Sequence, residues 1–387
     1  MAVSLIFADS FDNYDTDTGL RWSTGGGDFE TDPDHVRTGA QSLRIQDGDS
    51  PTITNFPYPV NVDALVISQP PRFCVGFAWQ TSTLGGETIL RLMCNRDVDG
   101  QTPLVPAQRQ FILRQNANGS ISVLTGNGVS PTLIGTTAAG VLTVGPFWYI
   151  EFTADMVAGN LSLTVTDESN TATEVLTASG FVTTQPHIDG LEWGGPSGLD
   201  AAWIDDFYFS SWDTLAPGFV GAPKIYLATP SADGLGEVNS VTDPAAFNVT
   251  SAPYFSQVDD VPQNTGSFIA REDDVGFFPF SLGKGFKFDA SAVPPGSTVA
   301  AVQAVVMWSM DHDIDGNAPN PDIFAGPTGG TLSDFGHFRQ KDGLVDSPFL
   351  FLTFAFDVNP QTGDPWTAEE FAGSAAYQMG PGVGSEG

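Results

Sequence analysis

The stretch Arg72–Gln80 constrains the fold most strongly, because apolar and small side chains alternate over residues 73–79 within it. One side of the pattern holds Phe73, Val75, Phe77 and Trp79, and the other side holds Cys74, Gly76 and Ala78. An extended chain points successive side chains to opposite faces, so alternation of period two predicts a strand in a packed sheet. Such a strand needs neighbours that satisfy the backbone groups on both of its edges.

Many other runs are also short and apolar, and turn-forming residues separate them; the chain contains 43 glycines and 28 prolines. This pattern predicts an all-β fold class. The further strands predicted in the N-terminal part are Ser4–Ala8, Ser42–Gln46, Thr88–Cys94, Gln110–Arg114, Ser120–Leu124, Phe147–Phe152, Leu161–Val165, Ile188–Trp193 and Trp203–Phe209. Because hairpin-length turns join many of these strands, we expect a jelly-roll β-sandwich over residues 1–213.

Turn residues predict which strands pair. Gly85-Gly86 indicates that the alternating strand pairs with Thr88–Cys94, the next strand along the chain. Asn118-Gly119 indicates a hairpin with a tight primed turn, since both residues tolerate positive φ. The two cysteines, Cys74 and Cys94, would then lie on neighbouring strands. Two cysteines do not make a disulfide framework, so we expect buried free thiols.

The strand Trp203–Phe209 is predicted to close the first domain, because the breaker cluster Thr214–Gly218 follows it. A linker over 214–221 then leads into a smaller β-domain over 222–387. The strands predicted there are Lys224–Ala228, Ala246–Val249, Ser267–Ala270, Phe277–Phe280, Val299–Met310, Leu332–Phe338 and Phe349–Asp357.

The C-terminal end of the second domain is predicted to contain a short helix that starts at Trp366. Thr367 and Glu370 have the spacing of a capping box, in which each side chain bonds the other residue's backbone N–H. After the helix, the glycine-rich stretch 380–384 is predicted to be a tail.

Charge excludes one class of partner. The chain has 46 acidic residues against 14 basic ones, which gives a formal net charge of −32. A surface this acidic repels phosphate backbones, so we expect no nucleic-acid binding.

The longest apolar runs, Val299–Trp308 and Phe349–Phe356, are too short to span a bilayer, so we expect no membrane insertion. The N-terminus lacks the basic segment of a signal peptide, so synthesis in a cytoplasm is expected.

The sequence offers no catalytic signature. Glu151 and Glu192 each lie in a predicted strand without an acidic residue two positions away, which argues against the paired carboxylates of a glycosidase. The histidines are scattered, at His35, His187, His312 and His337. Gly283-Lys284 lacks the upstream glycine and the following Ser or Thr of a phosphate-binding loop. We therefore predict a non-enzymatic protein with no catalytic and no cofactor-binding residues.

Two acidic groups are candidates for a structural calcium ion. The first is Asp311, Asp313 and Asp315, followed by Gly316 and Asp322, with the spacing of an EF-hand loop. The same residue types also suit a solvated turn. The second is Asp205 or Asp206 with Asp9 or Asp12, because the first and last strands of a sandwich are commonly neighbours. Capped turns and surface acids are the alternative there.

Several segments, taken in order, resemble known proteins. In the first domain they are Phe7, Phe11-Asp12, Tyr14, the Asn118-Gly119 hairpin, Trp148–Phe152 and Ile204–Tyr208. This domain resembles the concanavalin-like, laminin-G-type sandwiches. In the second domain they are Tyr226, Thr229–Gly234, Val258–Pro262, Val299–Ala304 and Asn359–Thr367. The whole chain resembles a family of tailed-bacteriophage virion proteins, in which a sandwich with such a closing strand precedes a smaller β-domain.

The resemblance implies a structural protein of a tailed-phage virion, associated with the tail, a tail fibre or the capsid surface. Its implied partners are other virion proteins and further copies of itself in a homo-oligomer. An alternative is an adhesin that binds host-surface glycans, and a second alternative is a polysaccharide-degrading enzyme on the same fold. The rings that could stack on sugars are Trp22, Phe56, Tyr58, Trp193, Trp212 and Trp366.

Overall fold

The computed structural model divides the chain into two compact units, Met1–Ile225 and Tyr226–Gly387. This boundary lies shortly after the predicted linker 214–221. The residues that the structure describes are 3–12, 22–24, 30–46, 49, 51–53, 60–61, 66–67, 71–96, 103–126, 131–169, 171–185, 187–196, 200–212, 221–228, 230–238, 282–288, 291–308, 320–327, 333–337, 350–356, 358–359, 362–371 and 377–384. Within this part of the chain, no helix has the length and apolar character needed to cross a membrane.

The first unit is built from antiparallel strands. They are β1 (Val3–Asp9), β2 (Ser23–Thr24), β3 (Glu30–Asp32), β4 (Ser42–Ile45), β5 (Pro51–Ile53), β6 (Val60–Asn61), β7 (Val66–Ile67), β8 (Arg72–Thr81), β9 (Thr88–Arg96), β10 (Pro103–Gln115), β11 (Ile121–Thr125), β12 (Thr132–Thr136), β13 (Trp148–Asp155), β14 (Asn160–Thr166), β15 (Ala172–Ser179), β16 (Gly190–Trp193) and β17 (Ala202–Trp212). An eight-stranded sheet has the order β15-β14-β13-β8-β17-β4-β3, with β1 paired to β17, and a seven-stranded sheet has the order β12-β11-β10-β9-β16-β5-β2.

One apolar core lies between these two sheets. The alternating residues Phe73 and Phe77 of β8 are fully buried in it, as are Leu92 of β9 and Phe111 of β10. The rings of Phe73 and Phe111 lie 5.9 Å apart and join the sheets directly. Two stacked sheets with strands that cross repeatedly between them form a sandwich of jelly-roll type. The predicted fold class is therefore confirmed.

The predicted pairing of the alternating strand β8 with β9 is wrong. The order of strands places β8 in the eight-stranded sheet, between β13 and β17, and places β9 in the seven-stranded sheet, between β10 and β16. The connection through Gly85-Gly86 therefore crosses from one sheet to the other. Cys74 and Cys94 consequently lie on different sheets, although both are buried thiols outside any disulfide, as expected.

The predicted Asn118-Gly119 hairpin is present, with a different turn. Strands β10 and β11 pair up to Gln115 opposite Ile121. Gly119 has a φ of +75°, and its N–H donates to the carbonyl of Asn116 at 2.9 Å. Asn118 keeps a negative φ and instead accepts a bond from Ser120 N–H at 3.1 Å. A longer loop with one glycine in the left-handed region thus replaces the two-residue primed turn.

The second unit contains β18 (Pro230–Val238), β19 (Leu282–Phe288), β20 (Val302–Trp308), β21 (Asn320–Pro327), β22 (Ser333–His337), β23 (Leu350–Phe356) and β24 (Tyr377–Gly384). Five of these strands form one sheet in the order β18-β19-β24-β21-β22, and β20 pairs with β23. The predicted strands at 299–310, 332–338 and 349–357 correspond to β20, β22 and β23. Those predicted at 246–249, 267–270 and 277–280 lie outside the described residues.

Three predictions for the second unit need correction. Residues 224–228 form no strand. The predicted helix is a short 3-10 helix, Ala368–Phe371, and only half of its capping box forms: Glu370 accepts a bond from Thr367 N–H at 2.6 Å, whereas Glu370 N–H donates to the Thr367 backbone carbonyl at 3.2 Å. The predicted tail 380–384 belongs to β24, which pairs with β19 and β21. Glycine-rich sequence suggested a tail, but neighbouring strands on both edges satisfy its backbone groups.

Candidate functional site

The closing strand β17 carries a buried acidic pair at a β-bulge. Its pairing with β8 shifts between Asp205 and Tyr208, and Asp206 has a φ of +49°, a conformation that Asp tolerates better than most residues. Because the bulge adds a residue, Ile204 and Phe207 both face the core. The carboxylates of Asp205 and Asp206 are fully buried and turn instead toward the loop at residues 37–38.

Each carboxylate of the pair holds backbone from a distant part of the chain. Asp205 Oδ2 accepts bonds from the backbone N–H groups of Arg37 and Thr38, at 2.8 and 2.9 Å. Asp206 Oδ2 accepts a bond from the Thr38 hydroxyl at 2.9 Å and pairs with the Arg37 guanidinium. Asp206 Oδ1 accepts a bond from Ile225 N–H at 2.6 Å. The pair therefore links the 37–38 loop to the last residues of the first unit.

Arg37 completes this arrangement, which we call the acidic clasp: Arg37, Thr38, Asp205, Asp206 and the segment 221–225. The guanidinium donates to the carbonyl oxygens of Pro223 and Ala222, at 2.8 and 3.2 Å. It also lies 4.9 Å from the centre of the Tyr149 ring. Residues 222–225, which the sequence assigned to the second domain, are thus bonded to the first unit.

Glu151 extends the clasp on the same outer face of the eight-stranded sheet. Its carboxylate accepts a bond from the Tyr208 hydroxyl and another from Gly221 N–H at 3.2 Å. Cys74 lies against it, with Sγ 3.2 Å from the Tyr208 oxygen. Burial, aided by the charge of Glu151, raises the pKa of the Cys74 thiol well above its ordinary value. A thiol held in this protonated state is a poor nucleophile.

Burial also raises the pKa values of the acidic pair. The pKa of Asp205 rises to about 8, because burial and the charge of Asp206 outweigh the three backbone N–H groups bonded to it. The pKa of Asp206 is raised by burial, against the opposing effect of Arg37. The two carboxylates lie side by side, so the charge of Asp206 opposes ionisation of Asp205.

Of the acids proposed as a calcium site, Asp9 lies on the strand next to Asp205 and Asp206, since β1 pairs with β17, and Asp12 follows the end of β1. Asp9 accepts bonds from Phe11 N–H and Trp22 Nε1, at 2.9 and 3.0 Å. Asp12 accepts bonds from Ala40 N–H and Gln41 N–H, at 2.6 and 3.1 Å. Like Asp205 and Asp206, both acids thus hold backbone or side-chain N–H groups. Within the described residues, no three of these four acids form a ligand cluster of the kind that holds a metal ion.

The remaining sequence candidates are dispersed. Asp311, Asp313 and Asp315 lie outside the described residues, as does His312, whereas Asp322 lies on β21 opposite His337 on β22. His35 stacks on Trp203, with ring centres 3.8 Å apart. Of the proposed sugar-stacking rings, Trp22, Trp193 and Trp366 are buried. Phe56 and Tyr58 are outside the described residues, and the structure describes only the backbone of Trp212.

An open groove of about 350 Å³ lies on the seven-stranded sheet. Leu124, Ile112, Arg91 and Glu192 face one another in register across β11, β10, β9 and β16. The first three line the groove, and Glu192 forms an ion pair with Arg91. Further residues that line it are Asp49, Glu87, Arg114 and Pro131. The lining of the groove is therefore partly aliphatic and carries charges of both signs.

Sequence reasoning did not single out the groove residues. The signal available was the set of outward positions in the strands predicted at 88–94 and 110–114, which alternate with core residues. That signal identifies Arg91, Ile112 and Arg114 as residues on the outer face of the sheet, but it cannot show which of them lie side by side. Their alignment depends on the register between strands, which only the folded sheet specifies.

No protein-family model matches the chain, and no curated protein sequence matches it. Among solved structures, it is similar to the exoplasmic/lumenal domain of VIP36 in its Ca2+/Man3GlcNAc-bound form, with 11% identity over 52% of this chain and 87% of that one and a TM-score of 0.35. A carbohydrate esterase from the Shiga toxin-encoding bacteriophage phi24B matches at 13% identity over 54% and 99%, with a TM-score of 0.35. A legume lectin-like domain from Entamoeba histolytica matches at 13% identity over 55% and 100%, with a TM-score of 0.36. Because these matches are distant, the fold assignment rests on this chain's own strand order and on the single core between its two sheets.

Proposed function

We propose that this protein is a non-enzymatic component of a tailed-phage particle whose first unit binds a glycan in the groove on the seven-stranded sheet. The particle context comes from the sequence resemblance. The observation that carries glycan binding is the row in which two aliphatic side chains adjoin an Arg–Glu pair across four strands.

This row matches the chemistry of a sugar ring. A sugar presents C–H groups on its faces and hydroxyl groups around its edge. Leu124 and Ile112 offer apolar contact for the C–H groups, while the Arg91 guanidinium, held by Glu192, offers a planar group that can bond two adjacent hydroxyls at once. The volume of about 350 Å³ lies within the range of ~300–1,000 Å³ that is usual for small-molecule sites.

The groove supports binding better than hydrolysis. A glycosidase needs two carboxyl groups on either side of the bond that is cleaved, with one free to donate a proton. Glu192 is instead paired with a guanidinium, and Asp49 accepts a bond from Gln46 N–H at 2.9 Å at the end of a turn. Glu192 and Asp49 thus have positioning roles, which suits recognition.

The test is glycan binding by the full-length protein, measured by calorimetry with oligosaccharides prepared from host surface polysaccharide. We expect Arg91→Gln and Arg114→Gln to weaken binding by about tenfold or more, because hydrogen bonds to charged groups contribute ~1.5–3 kcal/mol each. Arg44→Gln is the matched control, since Arg44 pairs with Glu30 on the other sheet. It should bind as the wild type does.

Two results would contradict the proposal. The first is an absence of binding by the wild type across the host polysaccharides. The second is binding that both groove variants retain in full. Release of new reducing ends by the wild type, lost in Glu87→Gln, would favour the enzyme alternative instead.

A further inference from the structure

We infer that the interior of the first unit contains a binding site for a transition-metal dication of the zinc type, formed by Cys94, His187 and Asp189. This site is separate from the groove and does not depend on the proposed function. The potential ligand atoms of these three residues all lie within 4.8 Å of one another, and all three residues are buried. Cys94 Sγ lies 2.8 Å from His187 Nε2.

Strand register explains why the three side chains meet. Gly190 of β16 lies opposite Met93 of β9, so the preceding residue, Asp189, lies opposite Cys94. Asp189 N–H donates to the Met93 carbonyl at 3.0 Å and continues the pairing beyond the end of β16. Leu92 and Leu191 face the core, and alternation places Cys94 and Asp189 on that same inner side.

The chain leading into His187 is held in place by a buried glutamine. Gln110 is fully buried, and its Oε1 accepts bonds from Thr184 N–H, the Thr184 hydroxyl and Gln185 N–H, at 3.0, 3.0 and 3.1 Å. This contact anchors the segment just before His187 to β10. Supporting bonds of this kind restrict ligand orientation and strengthen metal binding.

A candidate for the fourth ligand lies on β10, the strand that pairs with β9. Gln108 of β10 lies directly opposite Cys94. Within the part of the chain that the structure describes, its Oε1 atom is buried and has no hydrogen-bond partner. A buried amide oxygen without a partner is unfavourable by ~1–3 kcal/mol, and coordination to a cation would remove that penalty. We assign Gln108 as the fourth ligand.

The ligand set selects the class of metal. Thiolate and imidazole suit zinc and its neighbours in the transition series, whereas calcium and magnesium require oxygen ligands. A thiolate and a carboxylate together neutralise a dication, so the bound site would carry no net charge in the apolar interior. In a tetrahedral zinc site the S and N ligands lie ~3.5 Å apart, so Cys94 and His187 would separate slightly on binding. Binding would release the Cys94 thiol proton to solvent.

The test uses the full-length protein, purified with and without added zinc and analysed by native mass spectrometry and elemental analysis. We expect one zinc ion per chain, and we expect cobalt substitution to give a thiolate-to-cobalt charge-transfer absorption. Cys94→Ser and His187→Gln should weaken zinc binding by about tenfold or more, and Gln108→Leu should weaken it less. Cys74→Ser is the matched control, because Cys74 is the other buried free thiol and lies on the opposite sheet.

A second measurement does not depend on whether the variants fold, because it uses only the wild type. Thermal melting of the wild type should shift to lower temperature when a chelator removes the ion. The inference is overturned if the wild type retains no zinc at stoichiometric supply. It is also overturned if the cobalt form lacks thiolate absorption, or if Cys74→Ser loses zinc as Cys94→Ser does. Those results would identify the contact as an S–H···N hydrogen bond within the core.

Discussion

At the scale of single residues, the closing strand shows how burial changes the chemistry of an acid. The Asp205 carboxylate has lost its contact with water and lies beside a second carboxylate. Three backbone N–H bonds fix its position, and the neighbouring Arg37 charge favours ionised Asp206. These acids therefore act as anchors for backbone, and their protonation is linked to folding.

This linkage makes stability depend on pH. The pKa of Asp205 is about 8 in the folded protein, against ~3.9 in an unfolded chain. The folded state therefore holds a proton that the unfolded state releases, and the free energy of unfolding falls as pH rises from about 4 to about 8. The slope from one such group is at most ~1.4 kcal/mol per pH unit. We expect Asp205→Asn to flatten this part of the profile, as measured by urea unfolding at a series of pH values.

Asp34→Asn is the control for that experiment, because Asp34 is exposed in the same loop region. It should keep the pH profile of the wild type. Parallel profiles for the wild type and Asp205→Asn would show that Asp205 is already ionised in the folded protein across this range.

At the scale of elements, the connections between strands determine which strands become neighbours, and the strand sequences alone do not. The alternation in β8 identifies a strand and the face that packs in the core between the sheets, and the structure confirms both. It does not identify the neighbouring strand. A short glycine connection can close a hairpin or lead to the opposite sheet, and here it leads to the opposite sheet. The outcome depends on which arrangement buries both apolar faces, which is a property of the whole sandwich.

The acidic clasp is also an element-scale feature, and Arg37 is its centre. Arg37→Ala would leave Asp206 buried without its cation and would free the carbonyl groups of Ala222 and Pro223. Removing one partner of a buried pair typically destabilises a protein by ~3–5 kcal/mol. We therefore expect a loss of this size in unfolding experiments, together with faster hydrogen exchange over residues 221–225.

The matched control is Arg44→Ala. Arg44 and Glu30 form an ion pair whose side chains are 37% and 39% exposed, against 9% and 0% for Arg37 and Asp206. Exposed pairs contribute ~0–1 kcal/mol, so this variant should be nearly as stable as the wild type. Equal losses from the two variants, or unchanged exchange over 221–225 in Arg37→Ala, would contradict a fastening role for the clasp.

At the scale of the whole molecule, the main features are two compact β units and a strong excess of acidic charge. A net charge of −32 favours solubility at high local concentration, which suits the proposed place on a phage particle. We expect antibodies against this protein to label intact purified phage particles in electron micrographs. Label on the tail or its fibres would agree with a role in host recognition, and label over the head with capsid decoration.

The control for this labelling is a particle preparation from a phage whose gene for this protein is deleted. Absence of the protein from dissociated wild-type particles would contradict the virion assignment. It would leave glycan binding and metal binding untouched, since those depend on the first unit alone.

The sequence by itself determined the all-β class, the strands that alternate cleanly and the closing strand, because period-two alternation and turn residues are local properties. The bond from Thr367 N–H to the Glu370 carboxylate, which is one half of the predicted capping box, was predictable for the same reason. Only the tertiary structure decided which strands are neighbours. The groove, the acidic clasp and the Cys94–His187–Asp189 cluster each combine residues far apart in sequence. Strand order and register bring them together, and these depend on burying the apolar faces of both sheets at once.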